Sequence, residues 1–231
     1  MVTMYYITYK PERELAFASI KYMATYPWVQ DIILIHTDKE RPDFDSFPRL
    51  QKTYHYWQFF GGEGISNAGG IDEVDTRNMG IKLATLTTTD WIMQCDSDEI
   101  FVAEPGFDFS EVEQYDGVLF EMHHFLQPNR YRTEGLPIFD GLFDPHIRIW
   151  RKSLWLRHAI PEHPIIGCDN PTGHTHFDAA KINYLKMQRR LAHIHFRDLT
   201  HGKNRNIDHL ECVQWDLQWP KEITELTDWR F

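Results

Sequence analysis

The first hundred residues alternate strand-length apolar runs with helical stretches, and that alternation limits the chain to a largely parallel sheet with crossover helices. Residues 2–9, "VTMYYITY", are β-branched and aromatic with Pro11 close behind, so a first strand is expected to end in a loop at Lys10. "ERELAFASIKYMATYP" then sets Leu15, Ala18 or Ser19, Tyr22 and Met23 at helical spacing and stops before Pro27. "DIILIHTD" is a continuous apolar run of strand length that ends in Thr37 and Asp38. Strand, helix, strand in this order is the parallel crossover unit. "KTYHYWQFF" reads as a short third strand, and a helix is expected to resume near Asp72 in "IDEVDTRNMGIKLATL". "DWIMQCDSDEIF" reads as the next strand. Polar residues gather where these strands end, which is where open parallel sheets bind ligands.

Beyond Pro105 the segments become shorter and more aromatic. "GVLFEMHHF", "PHIRIWRK" and "AHIHF" read as strands of a mixed or antiparallel extension, and "DAAKINYLKMQRRLA" as a late helix. A length of 231 residues suits one domain, residues 1–231, with one sizeable core. No run approaches the roughly 18 apolar residues of a membrane span, and the N-terminus has no secretory pattern, so the expected location is cytoplasmic. Cys95, Cys168 and Cys212 form no CxxC pair and read as free thiols. The formal charge of −10 disfavours nonspecific binding to a phosphate backbone. "HIRIWRKSLWLRH" and "KMQRRLAHIHFRD" nevertheless concentrate basic residues in the C-terminal half and leave room for a local patch.

The chemistry-bearing stretch is "QCDSDEIF", where three carboxylates follow an apolar strand. Hard divalent cations take oxygen ligands, and a nucleotide diphosphate supplies several if the protein adds one or two carboxylates. Asp96 and Asp98 are one residue apart, so an extended strand end puts both on the same side. "RNMGIKLATLTTTDWIMQCDSDEIF" resembles the central block of glycosyltransferase family 2 at Arg77, Asn78, Gly80, Asp90, Trp91, Asp96, Asp98 and Glu99. "ITYKPERELAFASIKYM" resembles that family's first strand and helix, with Lys10 where an Asn is usual, and "LIHTDKE" its second strand, with Asp38 near the base or ribose position. "DPHIRIWRKSLWLRHAIPEHPIIG" resembles a later block at Ile147 to Arg151 and at Glu162, with Pro161 where a His is usual.

The resemblance implies an α/β, GT-A-like Rossmann-type three-layer sandwich with a mixed central sheet. Residues 1–104 would form a nucleotide-sugar-binding half and 105–231 an acceptor-binding half. It further implies an inverting transfer of a sugar from a nucleotide-diphosphate donor to an acceptor hydroxyl, with Mn²⁺ or Mg²⁺ held by a DxD motif. Thr8, Tyr9, Asp38, Arg77, Asn78 and Asp96 would line the nucleotide site, and Asp96 and Asp98 would hold the metal. A late His often completes that metal site, here His195, with His193 and His176 as rivals. Glu162 is the first choice for general base, with Asp144 and Glu99 as alternatives. Arg77 is equally suited to pair with a diphosphate or with Asp72 and Asp75 on its own helix. The acceptor is expected to be a glycan, a lipid-linked sugar or DNA bearing hydroxymethylated bases, as in viral transferases. Two other classes compete: a metal-dependent hydrolase using the His pairs and the acids as a dinuclear site, and a noncatalytic carbohydrate- or nucleotide-binding module.

Overall fold

A computed structural model describes residues 1–8, 13–36, 53–58, 71–127, 129–156, 182–196, 212–216 and 218–226. Along the chain run β1 (Val2–Thr8), α1 (Arg13–Met23), β2 (Val29–His36), β3 (Thr53–Gln58), α2 (Ile71–Thr85), β4 (Trp91–Cys95), β5 (Glu99–Ala103), β6 (Gly117–Phe120) and β7 (Met122–Gln127). Then follow β8 (Arg130–Arg132), β9 (Ile138–Phe139), β10 (Leu142–Phe143), β11 (His146–Arg151), β12 (Tyr184–Met187), β13 (Leu191–His195), β14 (Cys212–Gln214) and a short α3 (Lys221–Thr224).

Seven strands form the central sheet in the order β12-β6-β11-β4-β1-β2-β3. β1 pairs in parallel with both β2 and β4, and β2 with β3, while β11 runs antiparallel between β4 and β6. The chain therefore steps outward from β1 through β2 and β3, then returns to the other side of β1 as β4. That reversal falls between β1 and β4, and sheets of this kind take ligands in the crevice beyond the C-terminal ends of the strands at such a point. Asp96 follows β4 directly at this point. A second sheet, β14-β8-β7-β13-β5, begins three residues later.

Alternation along the strands sends side chains to two cores. Tyr5, Ile7, Ile33, Ile35, Ile92, Leu119 and Trp150 pack on one face with Ile81 and Ala84 of α2. Met4, Tyr6, Leu34, Met93 and Phe120 pack on the other with α1 and with Ile100, Phe125 and Ile194 of the second sheet. The result is the mixed-sheet α/β architecture expected from sequence: α2, then the central sheet, then α1 beside the second sheet. α2 lies close because Gly80 has no side chain. A Cβ there would stand within 3.0 Å of three ring carbons of Tyr5. No helix among the described residues is long and apolar enough to cross a membrane. Cys95 is a buried free thiol.

Three expected elements are corrected. "DWIMQCDSDEIF" is two strands in different sheets, because the chain turns at Asp96–Asp98. "GVLFEMHHF" likewise breaks at Glu121, which is buried and hydrogen-bonds the Phe143 amide at 3.1 Å and Gln188 Nε2 at 3.2 Å. The described part of "DAAKINYLKMQRRLA" is not helical. Ile182 and Tyr184 pack on the α2 side while Leu185 and Met187 pack on the opposite side, a period of two that satisfies the free edge of β6. Residues 188–190 then turn the chain into β13. Local helix propensity yields here to sheet pairing.

Candidate functional site

The turn after β4 is pinned from three sides. The Glu99 amide donates to the Asp96 carbonyl at 3.2 Å, and the Asp96 amide donates to Glu99 Oε2 at 3.0 Å. The Glu99 carbonyl accepts from the Tyr6 hydroxyl of β1 at 2.7 Å and from the Ser19 hydroxyl of α1 at 2.8 Å. Strand, helix and turn thus share one carbonyl, which fixes where the next side chains point.

Asp96 and Glu99 share Arg148, while Arg77 meets Asp96 alone and His195 faces Asp98. Asp96 is held by Arg77 of α2 through two parallel bonds, Nη1 to Oδ1 at 2.7 Å and Nη2 to Oδ2 at 3.0 Å. Arg148 Nη2 of β11 lies 3.3 Å from the same Oδ2 and also donates to Glu99 Oε1. Glu99 is buried, so burial pushes its carboxyl upward against the opposing pull of Arg148. Asp98 Oδ2 stands 3.2 Å from His195 Nε2 at the end of β13. Burial works against the Asp98 carboxylate, yet the adjoining His195 outweighs it and holds the group below its usual range. Burial equally opposes the His195 cation, but Asp98 lifts that imidazole to about 8.

From His195 a line of polar groups runs along the second sheet. His195 Nδ1 is 3.0 Å from His124 Nδ1 of β7, and His124 Nε2 is 2.7 Å from Asp144 Oδ2. The other Asp144 oxygen lies 3.3 Å from His146 Nε2. Burial is the main influence lowering both His124 and His146, the latter to about 4. Burial opposes the Asp144 carboxylate, but its bonds to the two imidazoles hold it well below the carboxylate range. Asp144 gets its position from the hairpin before it. Asp140 and Gly141, both with positive φ, make the two-residue loop between β9 and β10, and Asp144 itself has φ of 41°. Its amide donates to the Pro137 carbonyl at 2.7 Å.

The structure therefore gathers Arg77, Asp96, Asp98 and His195, with Asn78 beside Arg77 on α2. Arg77 meets Asp96, across nineteen positions of sequence. His193, the rival on β13, is fully buried, stacks on Phe101 at 4.5 Å and lies 3.2 Å from Glu99 Oε1. Thr8 ends β1 at the crevice, and Tyr9, Asp38, Glu162 and His176 lie outside the described residues. Glu99, an alternative base, is instead an internal tie. Asp144, the other alternative, has both oxygens engaged and its affinity for a proton lowered, which makes it a weak base. Sequence reading missed His124 and offered Arg148 only as one of three arginines that could pair with a candidate acid, the role it has here with Glu99. The alternation of "HIRIWR" and of "MHHFLQ" was their signal, since period two separates inward from outward side chains.

Asp98 and His195 fit a shared small cation. Two ligands at right angles with bonds of about 2.1 Å stand about 3 Å apart, close to the 3.2 Å between these two atoms. Among the described residues no three His, Cys, Asp or Glu side chains form a complete metal cage.

No family model and no curated protein matches this sequence. Solved structures with a similar course of chain include residues 1–349 of TarS from S. aureus in complex with UDP, at 11% identity over 80% of this chain and 60% of that one, TM-score 0.46. The same TarS segment in complex with UDP-GlcNAc gives 11% identity over 81% and 59%, TM-score 0.43. A Bacillus anthracis protein assigned as a glucose-1-phosphate thymidylyltransferase, in complex with a sucrose, gives 11% over 97% and 99%, TM-score 0.46. This chain spans between 28% and 60% of the TarS chains it matches.

Among the described residues, the arginines of the two basic stretches do not merge into one free surface. Arg148 turns inward, Arg151 lies over the Trp91 ring at 4.5 Å, Arg189 pairs with Asp216, and Arg190 pairs with Glu104 and Glu111.

Proposed function

We propose that this chain is a metal-dependent transferase that moves a sugar from a nucleotide-diphosphate donor to an acceptor hydroxyl. The observation that carries the reading is the Asp98 and His195 pair, 3.2 Å apart at the crevice where the parallel order reverses. The resemblance of residues 77–99 to the family 2 block points the same way. Asp98 and His195 would hold Mn²⁺ or Mg²⁺, and the cation, when bound, offsets negative charge on the departing diphosphate. Arg77 keeps Asp96 fixed at the mouth of the crevice, and Arg148 ties that carboxylate to Glu99, so the rim is set before a donor arrives. Asn78, Thr8, Tyr9 and Asp38 complete the proposed nucleotide site, and Glu162 is the proposed base. Inversion at the sugar carbon follows from the resemblance alone.

The dinuclear hydrolase reading needs several His ligands at once, and the described residues contain no such group. The DNA-acceptor reading needs a contiguous cationic surface, and most of the described arginines of the two basic stretches are paired with acids or packed on the protein.

Thermal stabilisation by UDP, GDP, CMP and TDP sugars, each with and without Mn²⁺, tests the proposal on the wild type and on Asp98→Ala. One nucleotide should stabilise the protein in a Mn²⁺-dependent way, and Asp98→Ala should abolish the effect. Product analysis then separates the chemistries: sugar transfer releases the nucleotide diphosphate, nucleotidyl transfer releases pyrophosphate. Stabilisation by metal alone, indifferent to nucleotide and to Asp98→Ala, refutes the reading.

A further inference from the structure

At the other end of the central sheet from the turn at Asp96 lies a hollow of about 410 Å³ lined by Thr85, Asp90, Arg151, Lys152, Ser153 and Trp155. We infer that this hollow is a carbohydrate-binding subsite, with Trp155 as the platform for a sugar ring and Asp90, Lys152 and Ser153 as hydrogen-bonding partners of its hydroxyls. The inference does not rest on the metal site proposed above.

The strand register sets the location. Arg151, the last residue of β11, pairs with Trp91, the first of β4, and Val2 at the start of β1 pairs with Trp91 as well. The hollow therefore sits where the parallel strands begin, about 20 Å along β4 from the turn at Asp96. Its floor is fixed by backbone carbonyls. The Arg151 guanidinium lies over the Trp91 ring and donates to the Tyr115 carbonyl at 2.9 Å and to the Glu113 carbonyl. Lys152 donates its amide to the Asp90 carbonyl at 2.8 Å and its Nζ to the Thr87 carbonyl at 2.8 Å. Among the described residues, carbonyls rather than carboxylates hold both cations. An ammonium has three N–H donors, so Lys152 keeps donors for a ligand. Asp90 is exposed, and among the described residues no group engages its carboxylate.

Trp155 is the feature that calls for a ligand. It follows a single 3₁₀ turn, Lys152–Leu154, and its amide closes that turn on the Lys152 carbonyl at 3.2 Å. Its φ is 53°, in the left-handed region that bulky side chains rarely enter, and 72% of the residue is exposed. Glycine or asparagine would end the turn with less strain, and the indole gains no burial in return. Backbone strain of this kind clusters at binding sites. An indole bordered by a carboxylate, an ammonium and a hydroxyl matches a pyranose, which has a face of C–H groups and a rim of hydroxyls. A lipid surface or a protein partner calls instead for a contiguous apolar patch. Here the ring stands among polar groups, and the hollow falls within the range of small-ligand pockets, about 300–1,000 Å³.

Indole ¹H–¹⁵N spectra of the chelator-treated full chain test the subsite, with cellobiose, maltose, chitobiose and xylobiose as probes. At least one of these disaccharides should shift the Trp155 indole signal saturably, that signal being the one missing from Trp155→Gly. Followed through the Ser153 and Leu154 amides, binding to Trp155→Gly should be weaker by about 10-fold, the scale of one aromatic contact. The same variant should keep or raise its Tm, because glycine accepts the positive φ. Asp98→Ala, which removes the proposed cation ligand, should bind the disaccharide as the wild type does, so the two sites fail or stand separately. No Trp155 shift with any of the four sugars overturns the inference, as does unchanged sugar affinity in Trp155→Gly. A fall in Tm of Trp155→Gly overturns it too, since the indole would then be serving the fold. Phosphatidylglycerol vesicles that shift the Trp155 signal where the sugars do not would assign the surface to lipid instead.

Discussion

Replacing Arg148 by Met would leave Glu99 as a buried carboxylate with no cation against it. The side chain of Glu99 is 1% exposed and that of Arg148 10%, so neither charge has water to fall back on. Met fills much of the volume of the arginine stem, which confines the effect to charge. Breaking a buried pair from one side costs about 3–5 kcal/mol. For a chain of this length about 2–4 °C of Tm accompanies each kcal/mol, so a fall of about 6–20 °C is expected by calorimetry. Glu99→Gln in the same background removes the stranded charge and should return part of the loss, giving a clear coupling in the double-mutant cycle. The deficit should also depend on pH. Without Arg148 the folded-state pKa of Glu99 rises further above its unfolded value, so the folded variant takes up a proton and its deficit narrows as the pH falls. A loss below about 1 kcal/mol, or a deficit that is the same at acid and alkaline pH, would show that Glu99 is not held by Arg148 in this way.

Two further perturbations read other parts of the structure. Gly80→Ala drives a methyl into the Tyr5 ring, whose hydroxyl is bonded to Gln94 at 2.6 Å, so α2 has to shift; a cost of about 1–3 kcal/mol in urea unfolding is expected, together with weaker donor binding because Arg77 rides on the same helix. In the metal-free protein His195 titrates at about 8 against an ordinary value near 6.5, worth about 2 kcal/mol. A raised pKa means that this stability is complete below about pH 6.5 and is lost as pH rises through about 8, so chelator-treated protein should melt lower across that window and His195→Gln should flatten the profile.

The sequence made the parallel core legible because each of its elements announces itself locally. β1, β2 and β4 are apolar runs of strand length, and α1 shows helical spacing between them. The position of the acids was legible too, since a strand buried on both faces has to end where charge begins. What escaped reading depended on partners distant in sequence. Residues 182–187 fit a helix by spacing and became a strand because β6 offered an edge. Arg148 and His124 looked like ordinary members of alternating strands until β11 and β7 were set against the turn at Asp96. The Asp140-Gly141 pair carried a hairpin signal, but nothing local tied the next acid, Asp144, to an imidazole twenty residues earlier.

The register between β5 and β13 has a consequence for how the protein is made. Glu99 pairs with His195, and β13 also pairs with β7. As the polypeptide leaves the ribosome, β5 and β7 are complete long before the strand that belongs between them has been synthesised. Both present apolar edges during that interval, the condition under which nascent chains associate wrongly. The turn at Asp96–Asp98 consequently meets its partner strand late, and a chain released before residue 195 would carry these acids without the imidazole that faces Asp98.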